Sequence, residues 1–345
     1  MNNKIIITGI SGQDGSLLAN FLLKKKYKIF GILRNLKKNK FNNINLLKIK
    51  KKITFIKCQL SEYKKMSSII QKIKPIMFFN FAGVSSLEKS FKKPIYTNTI
   101  NSTAVINILE SIKTHSKKTK FFQASTSHLF KIDKKKINEN SQFNPTSPYA
   151  IAKLSSFFFT RYYRNKYNLF ATNGFFFNHE SIFRKNIYVT KKIIEWLVKY
   201  KIKKKYVHPL YLGNIYIKKD WGDAEDYVKL SYKILKQKKP DDFIICTGKN
   251  YTLKHFINLT ARNLNLDIKW LNVKTANEAA VDKKTKIILI EIKRKLFRID
   301  DFNNVIGNNF KAKKIFNWKP VNNIDFLIKK MIKHEMNKYK TYDKN

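Results

Sequence analysis

The sequence predicts a doubly wound parallel α/β sheet joined to a smaller mixed α/β unit, on three observations. A β-branched run at residues 4–8 leads into Gly9, Gly12 and Gly15, spaced three apart. A helical pattern follows at once. Strand-sized apolar runs then alternate with helix-sized periodic ones as far as Asn178. Such alternation favours parallel strands joined by crossover helices.

Taken in order, residues 4–8 read as a buried strand. Residues 16–25 place Leu17, Leu18, Phe21 and Leu22 at helical spacing, and 27–33 complete a βαβ unit. Residues 53–58 read as strand three, 66–73 as a helix, 76–81 as strand four, 98–113 as a helix and 120–124 as strand five. A long helix over 148–167 opens at Pro148, which a first turn accommodates, and 169–177 form strand six. Beyond Asn178 the pattern loosens. Helices are expected within 182–203 and 215–236, a strand at 242–246, a helix at 253–264, a strand at 284–292 and a helix at 324–336. There is no internal repeat and no Ser/Gly/Pro linker, so the two halves are expected to pack directly together.

The chain has 345 residues, 71 basic and 23 acidic, with a net charge of +48. At 43% hydrophobic it has enough apolar content to fold despite that charge. A nucleic-acid partner is not expected, because only seven of the 71 basic residues are arginine and no recognition motif occurs. The lysines, densest over 37–52, read as coding bias on a solvated surface. Two cysteines, Cys58 and Cys246, exclude a disulfide framework and suit a reducing compartment. No apolar run approaches the ~18 residues of a membrane span, and the start lacks a signal-peptide pattern. A cytoplasmic location is the expectation. The remaining histidines and the cysteines have no metal-ligand spacing, so no metal is expected.

Only ten glycines occur, and three fall within the first fifteen residues. In a strand-turn-helix context their spacing is that of a dinucleotide cradle: Gly9 for the tight turn, Gly12 for close approach of a pyrophosphate, Gly15 for close helix–strand packing. The helix N-terminus then faces the phosphates. Strand two ends at Arg34, and no Asp or Glu lies between residues 27 and 40. An acidic residue there suits the 2′-hydroxyl of NAD and an arginine the 2′-phosphate of NADP, so NADP is expected. This Rossmann arrangement is assigned to residues 1–178, with parts of 210–240 returning to it; residues 179–345 form most of the substrate unit.

Tyr149 and Lys153 lie four apart at a helix start, on one face. A nearby ammonium is expected to lower the phenol pKa. Gln123-Ala-Ser-Thr126-Ser-His128 lies just past strand five, where ligands of such sheets bind, and in an extended segment Thr126 and His128 would share a face.

These pieces together resemble the extended short-chain dehydrogenase/reductase family, and within it the GDP-mannose 4,6-dehydratases. The resemblance runs through Ile7-Thr-Gly-Ile-Ser-Gly-Gln-Asp-Gly15, Ser147-Pro-Tyr-Ala-Ile-Ala-Lys-Leu154, Phe177-Asn-His-Glu-Ser181, Asp220-Trp-Gly222 and Asn317-Trp-Lys-Pro320. It implies that Tyr149, with Lys153 and Thr126, removes the proton of the sugar 4-hydroxyl while hydride passes from C4 to NADP+. A base then takes the C5 proton, water leaves from C6, and hydride returns there. It also implies cofactor contacts from Ser85, His179 and Arg184. Ser85, Asn178, Lys192, Lys219, Arg298 and Asp301 are implied to meet GDP-mannose, and a homodimer or homotetramer is implied.

The chain departs from the family at several points. The expected C5 base is glutamate, and here it is His128. Lys219 stands for arginine, Ser86 for histidine, Gln59 for an acidic residue and Ile299 for the proline after Arg298. A dehydratase weakened at C5 is the leading reading. An epimerase or reductase would need no C5 base, although the Asn-His-Glu-Ser segment argues against it. A non-catalytic NADP-binding scaffold stays open as well.

Overall fold

The structure is a computed structural model that describes residues 2–37, 41–132, 135–203, 208–275, 277–297 and 304–342. The first half runs β1 (Lys4–Thr8), α1 (Gln13–Lys24), β2 (Lys28–Leu33), α2 (Asn42–Leu46), β3 (Ile53–Lys57), α3 (Tyr63–Ile73), β4 (Met77–Asn80), α4 (Leu87–Lys92), α5 (Pro94–Asn98), α6 (Ala104–His115), β5 (Lys120–Thr126), α7 (Pro148–Tyr167) and β6 (Ala171–Phe176). The second half runs β7 (Asn178–Glu180), α8 (Val189–Lys203), β8 (Leu210–Leu212), β9 (Lys218–Lys219), β10 (Trp221–Asp223), α9 (Ala224–Leu235), β11 (Phe243–Ile245), β12 (Tyr251–Thr252), α10 (Leu253–Asn263), β13 (Ile268–Leu271), β14 (Ala279–Asp282), β15 (Ile288–Ile292), α11 (Phe310–Phe316) and α12 (Ile324–Tyr342).

The central sheet is parallel throughout, in the order β11-β6-β5-β4-β1-β2-β3. Its middle strands are apolar on both faces: Ile5, Ile6, Ile7, Phe78, Phe79, Phe121 and Phe122 are fully buried. Helices on both sides make that possible. Strand order reverses between β1 and β4, which opens a crevice beyond their C-terminal ends. A buried polar ladder crosses that edge. Thr8 Oγ1 donates to Asn80 Oδ1 at 2.5 Å, and Asn80 Nδ2 donates to Gln123 Oε1 at 2.8 Å. These two bonds link three neighbouring strands side chain to side chain and help fix the register at the mouth of the site.

A second sheet, β13-β14-β15-β8, packs with α8, α10 and α12 around Ile193, Leu197, Phe256 and Leu327. Two small pairings tie this unit to the central sheet: β7 with β10, and β9 with β12. Helix α9 packs on α1, where Phe21 meets Tyr232 edge-on at 5.5 Å.

Several elements differ from the sequence expectation. The helix expected over 98–113 is interrupted by a π-helical segment, Thr99–Thr103, between α5 and α6. The strand expected over 284–292 begins only at Ile288, because a turn at 283–286 with Lys286 at φ +62° joins β14 to β15 as a hairpin. Short strands such as β7, β9 and β10 carry too few residues to show a period.

Candidate active site

The glycine turn lies at the crevice. Gly9 has φ +67°, and a Cβ there would come within 2.7 Å of the Ala82 amide nitrogen. A Cβ on Gly15 would sit 2.3 Å from the Gly9 carbonyl oxygen. Helix α1 starts from Gly12 without a side-chain cap, so its first amides remain for a ligand. Bare backbone around a helix N-terminus fits the pyrophosphate of a dinucleotide. Arg34, just past β2, is exposed and donates from Nη1 to the Tyr96 hydroxyl at 2.7 Å.

Strand β5 delivers Thr126 to the same edge. The chain then turns in one 3₁₀ turn, Ser127–Leu129, with the His128 amide donating to Thr126 Oγ1 at 3.3 Å. The extended segment expected there is therefore replaced by a turn, and period two does not place His128. The turn still brings the imidazole edge-on to the Tyr149 ring, with centroids 6.0 Å apart. Ser147 caps α7, accepting from the Ala150 amide at 3.2 Å, and Pro148 occupies the first turn. Tyr149 thus sits buried at the helix start and bonds the Thr126 hydroxyl. Lys153, one turn on, donates to the Ala124 carbonyl at 2.8 Å.

The electrostatics correct one expectation. Burial, only partly offset by the Thr126 bond, pushes the Tyr149 phenol up to about 12 rather than down. Burial pushes Lys153 down to about 8. Burial, aided by the Lys219 charge, pushes His128 down to about 4, so its ring is neutral at pH 7.

His179 and Arg184 lie together beside the glycine turn. The His179 Nδ1 faces the Phe177 carbonyl at 2.7 Å, and its Nε2 faces Asp14 Oδ1 at 3.0 Å. Burial disfavours the charged ring, but the Asp14 carboxylate outweighs it and the His179 pKa rises. Gln13 completes the clasp, donating to the His179 carbonyl at 3.2 Å and accepting from the Ser181 hydroxyl at 2.8 Å. Arg184 covers the Tyr188 ring at 3.6 Å and pairs with Glu180 at 2.8 Å. Tyr188 in turn shares a hydrogen bond of 3.0 Å with Ser85.

Asn178 pairs in register with Trp221, two residues from Lys219. Lys219 belongs to β9, and its charge acts on His128. Its neighbour Asp220 is buried and accepts from the Thr247 and Gly248 amides at 2.9 and 2.8 Å, anchoring that strand. Lys192 is exposed on α8, its amide bonded to the Tyr188 carbonyl at 3.0 Å. Arg298, Ile299 and Asp301 lie outside the described residues. Gln59 is exposed, with its amide bonded to Glu62 Oε2 at 3.2 Å, and Ser86 caps α4.

Sequence reasoning missed Asp14, Tyr96, Tyr188 and Asn101. Asp14 stands inside the glycine motif, and its acidic type among so many lysines was a usable signal. Asn101 is buried in the π-helical segment and grips Val84 twice, accepting from its amide at 2.7 Å and donating to its carbonyl at 3.0 Å. Nothing in its sequence neighbourhood marks that grip.

A family model described as GDP-mannose 4,6 dehydratase matches residues 6–331. A GDP-mannose 4,6 dehydratase of Dictyostelium discoideum is 34% identical, with 98% of this chain and 97% of that one covered. One from Vibrio cholerae serotype O1 is 33% identical over 97% of this chain and 94% of that one. Among solved structures, UDP-glucose 4-epimerase of Thermotoga maritima superposes with a TM-score of 0.81 at 18% identity, covering 97% of this chain and 99% of that one. The dTDP-glucose 4,6-dehydratase of Bacillus anthracis, in complex with NAD, gives 0.77 at 19% identity, over 99% and 97% of the two chains. These two likenesses establish the fold of nicotinamide-dependent epimerases and dehydratases. The family match and the near full-length relatives establish more: the chain belongs to the GDP-mannose 4,6-dehydratase family.

Proposed function

We propose that the protein converts GDP-mannose to GDP-4-keto-6-deoxymannose as a hydro-lyase, with NADP recycled within each turnover. The observation that carries this is the meeting of Thr126, His128 and Tyr149 at the C-terminal edge of β5. Bound NADP+ supplies the acceptor for the C4 hydride and its return to C6. The chain's own groups do the rest. Tyr149, bonded to Thr126 and one helical turn from the Lys153 ammonium, takes the 4-hydroxyl proton as its phenolate, a form that Lys153 and the positive charge of a bound oxidised nicotinamide would favour against the burial that raises its pKa. His128 takes the C5 proton that the 4-keto group acidifies. With a pKa near 4 it is about as basic as an ordinary glutamate, at ~4.3, so basicity is kept while the negative charge is not. Lys219, Asn178, Ser85, Lys192, Arg298 and Asp301 hold the nucleotide sugar. Gly9, Gly12, Gly15, Arg34, His179 and Arg184 hold the cofactor.

The preference for NADP is supported by Arg34, which meets no carboxylate among the described residues. Residues 179–345 form most of the substrate-binding unit. A cytoplasmic location fits the absence, among the described residues, of a helix long and apolar enough to cross a membrane. A homodimer or homotetramer is supported by one helical face. Ile151, Phe158 and Tyr162 share a side of α7 and are about half exposed, next to exposed Phe91 and Ile95 on α4 and α5. A second copy turned by a two-fold axis would cover that face with itself. Light scattering of Phe158→Glu tests this: a monomer is expected, and an unchanged oligomer would remove the face from the interface.

The activity test mixes protein with GDP-mannose and catalytic NADP+ and follows the sugar nucleotide by mass spectrometry. Loss of one water is expected. An unchanged mass with cofactor bound would overturn the dehydratase assignment.

A further inference from the structure

We infer that Lys89 is a second cation for the ribose 2′-phosphate of NADP, working beside Arg34, and that it sets cofactor choice. This rests on the NADP reading above. The Tyr96 hydroxyl accepts from Arg34 Nη1 at 2.7 Å, while the Lys89 ammonium stands 5.5 Å from the Tyr96 ring centroid. Two cations therefore flank one tyrosine side chain. Among the described residues neither has a carboxylate partner, and the adjacent Glu88 pairs with Lys92 at 2.7 Å. Like charges gathered this way repel, and an anion between them relieves the repulsion.

The arrangement is built into the backbone rather than left to a wandering side chain. The Lys89 amide donates to the Ser86 hydroxyl at 3.2 Å, which caps α4, and Pro94 starts α5 under Tyr96. Arg34 follows β2, where the adenine ribose of a dinucleotide on this fold lies, and α4 and α5 bring Lys89 and Tyr96 to it from beyond β4. A phosphate monoester of charge about −2 can accept from the guanidinium and the ammonium together. A ribose hydroxyl gains little from a second cation. Lys89 therefore discriminates between the cofactors rather than strengthening both.

Calorimetric binding of NADP+ and NAD+, without turnover, tests this on the unmodified protein, Lys89→Gln and Lys89→Glu. The glutamine variant is expected to bind NADP+ about tenfold more weakly, with NAD+ within about twofold. The glutamate variant should lose more NADP+ affinity still, and salt should shrink the unmodified protein's preference. Lys89 is exposed, and retained NAD+ binding shows that each variant is folded. If the unmodified protein prefers NADP+ and both variants keep that preference, the assignment of Lys89 is wrong while the NADP reading stands. If the unmodified protein prefers NAD+, the NADP reading fails and this inference with it.

Discussion

The two edges of the site are built on different foundations. Tyr149 and Lys153 stand on the 20-residue helix α7, capped by Ser147 and packed on the central sheet. His128 and Lys219 stand on a single 3₁₀ turn and a two-residue strand. In the proposed mechanism the first edge serves oxidation at C4 and the second serves elimination across C5 and C6, and two of the departures named above, His128 and Lys219, fall on the second. A long element fixes residue type and position together. A short one lets the type change while neighbours such as Asp220 hold the place.

The comparison can be broken most severely at Tyr149. Tyr149→Phe removes the proposed proton acceptor of the first step, so kcat should fall about 10³-fold with little change in the affinity for NADP+. A loss under tenfold would show that another group carries the oxidation edge.

A smaller effect is expected from the clasp between the glycine turn and β7. Asp14→Asn leaves the His179 ring without its carboxylate. It should cost about 1–2 kcal/mol of stability, read by urea unfolding, and weaken NADP+ binding about fivefold. Unchanged cofactor affinity would confine the pair to a structural part.

The pH profile sharpens the contrast. The proposed mechanism uses His128 as the neutral ring, so activity should be lost as pH falls through about 4. It uses Lys153 as the cation, so activity should be lost as pH rises through about 8. In Lys219→Met the acid limb should move upward, because removing a cation makes protonation of His128 easier. An acid limb that does not move would detach Lys219 from His128. The mildest change is Lys219→Arg, which keeps the charge and should alter kcat/KM by only about two- to threefold.

What the sequence made legible follows the same divide. The glycine turn, the parallel strands and the Tyr149–Lys153 pair were readable because each has a period or spacing set by one element. Thr126 was placed correctly at a strand end, while His128 was assigned to an extended segment that is a turn. The tyrosine was expected to become more acidic, because spacing shows the ammonium but not the burial that outweighs it. Asn101 and Tyr188 act through contacts that cross the fold, Asn101 with Val84 and Tyr188 with Ser85. Such contacts leave no local pattern. The lysine excess, by contrast, coloured every segment without marking the site.

If the two edges work separately, His128→Ala should stop elimination and spare oxidation. The variant is incubated with GDP-mannose and stoichiometric NADP+, following NADPH absorbance and the mass of the sugar nucleotide together. Hydride uptake should persist while loss of water falls about 10²-fold, and His128→Glu should recover it. Undiminished loss of water in His128→Ala would contradict the account, because the C5 proton would then leave by another route.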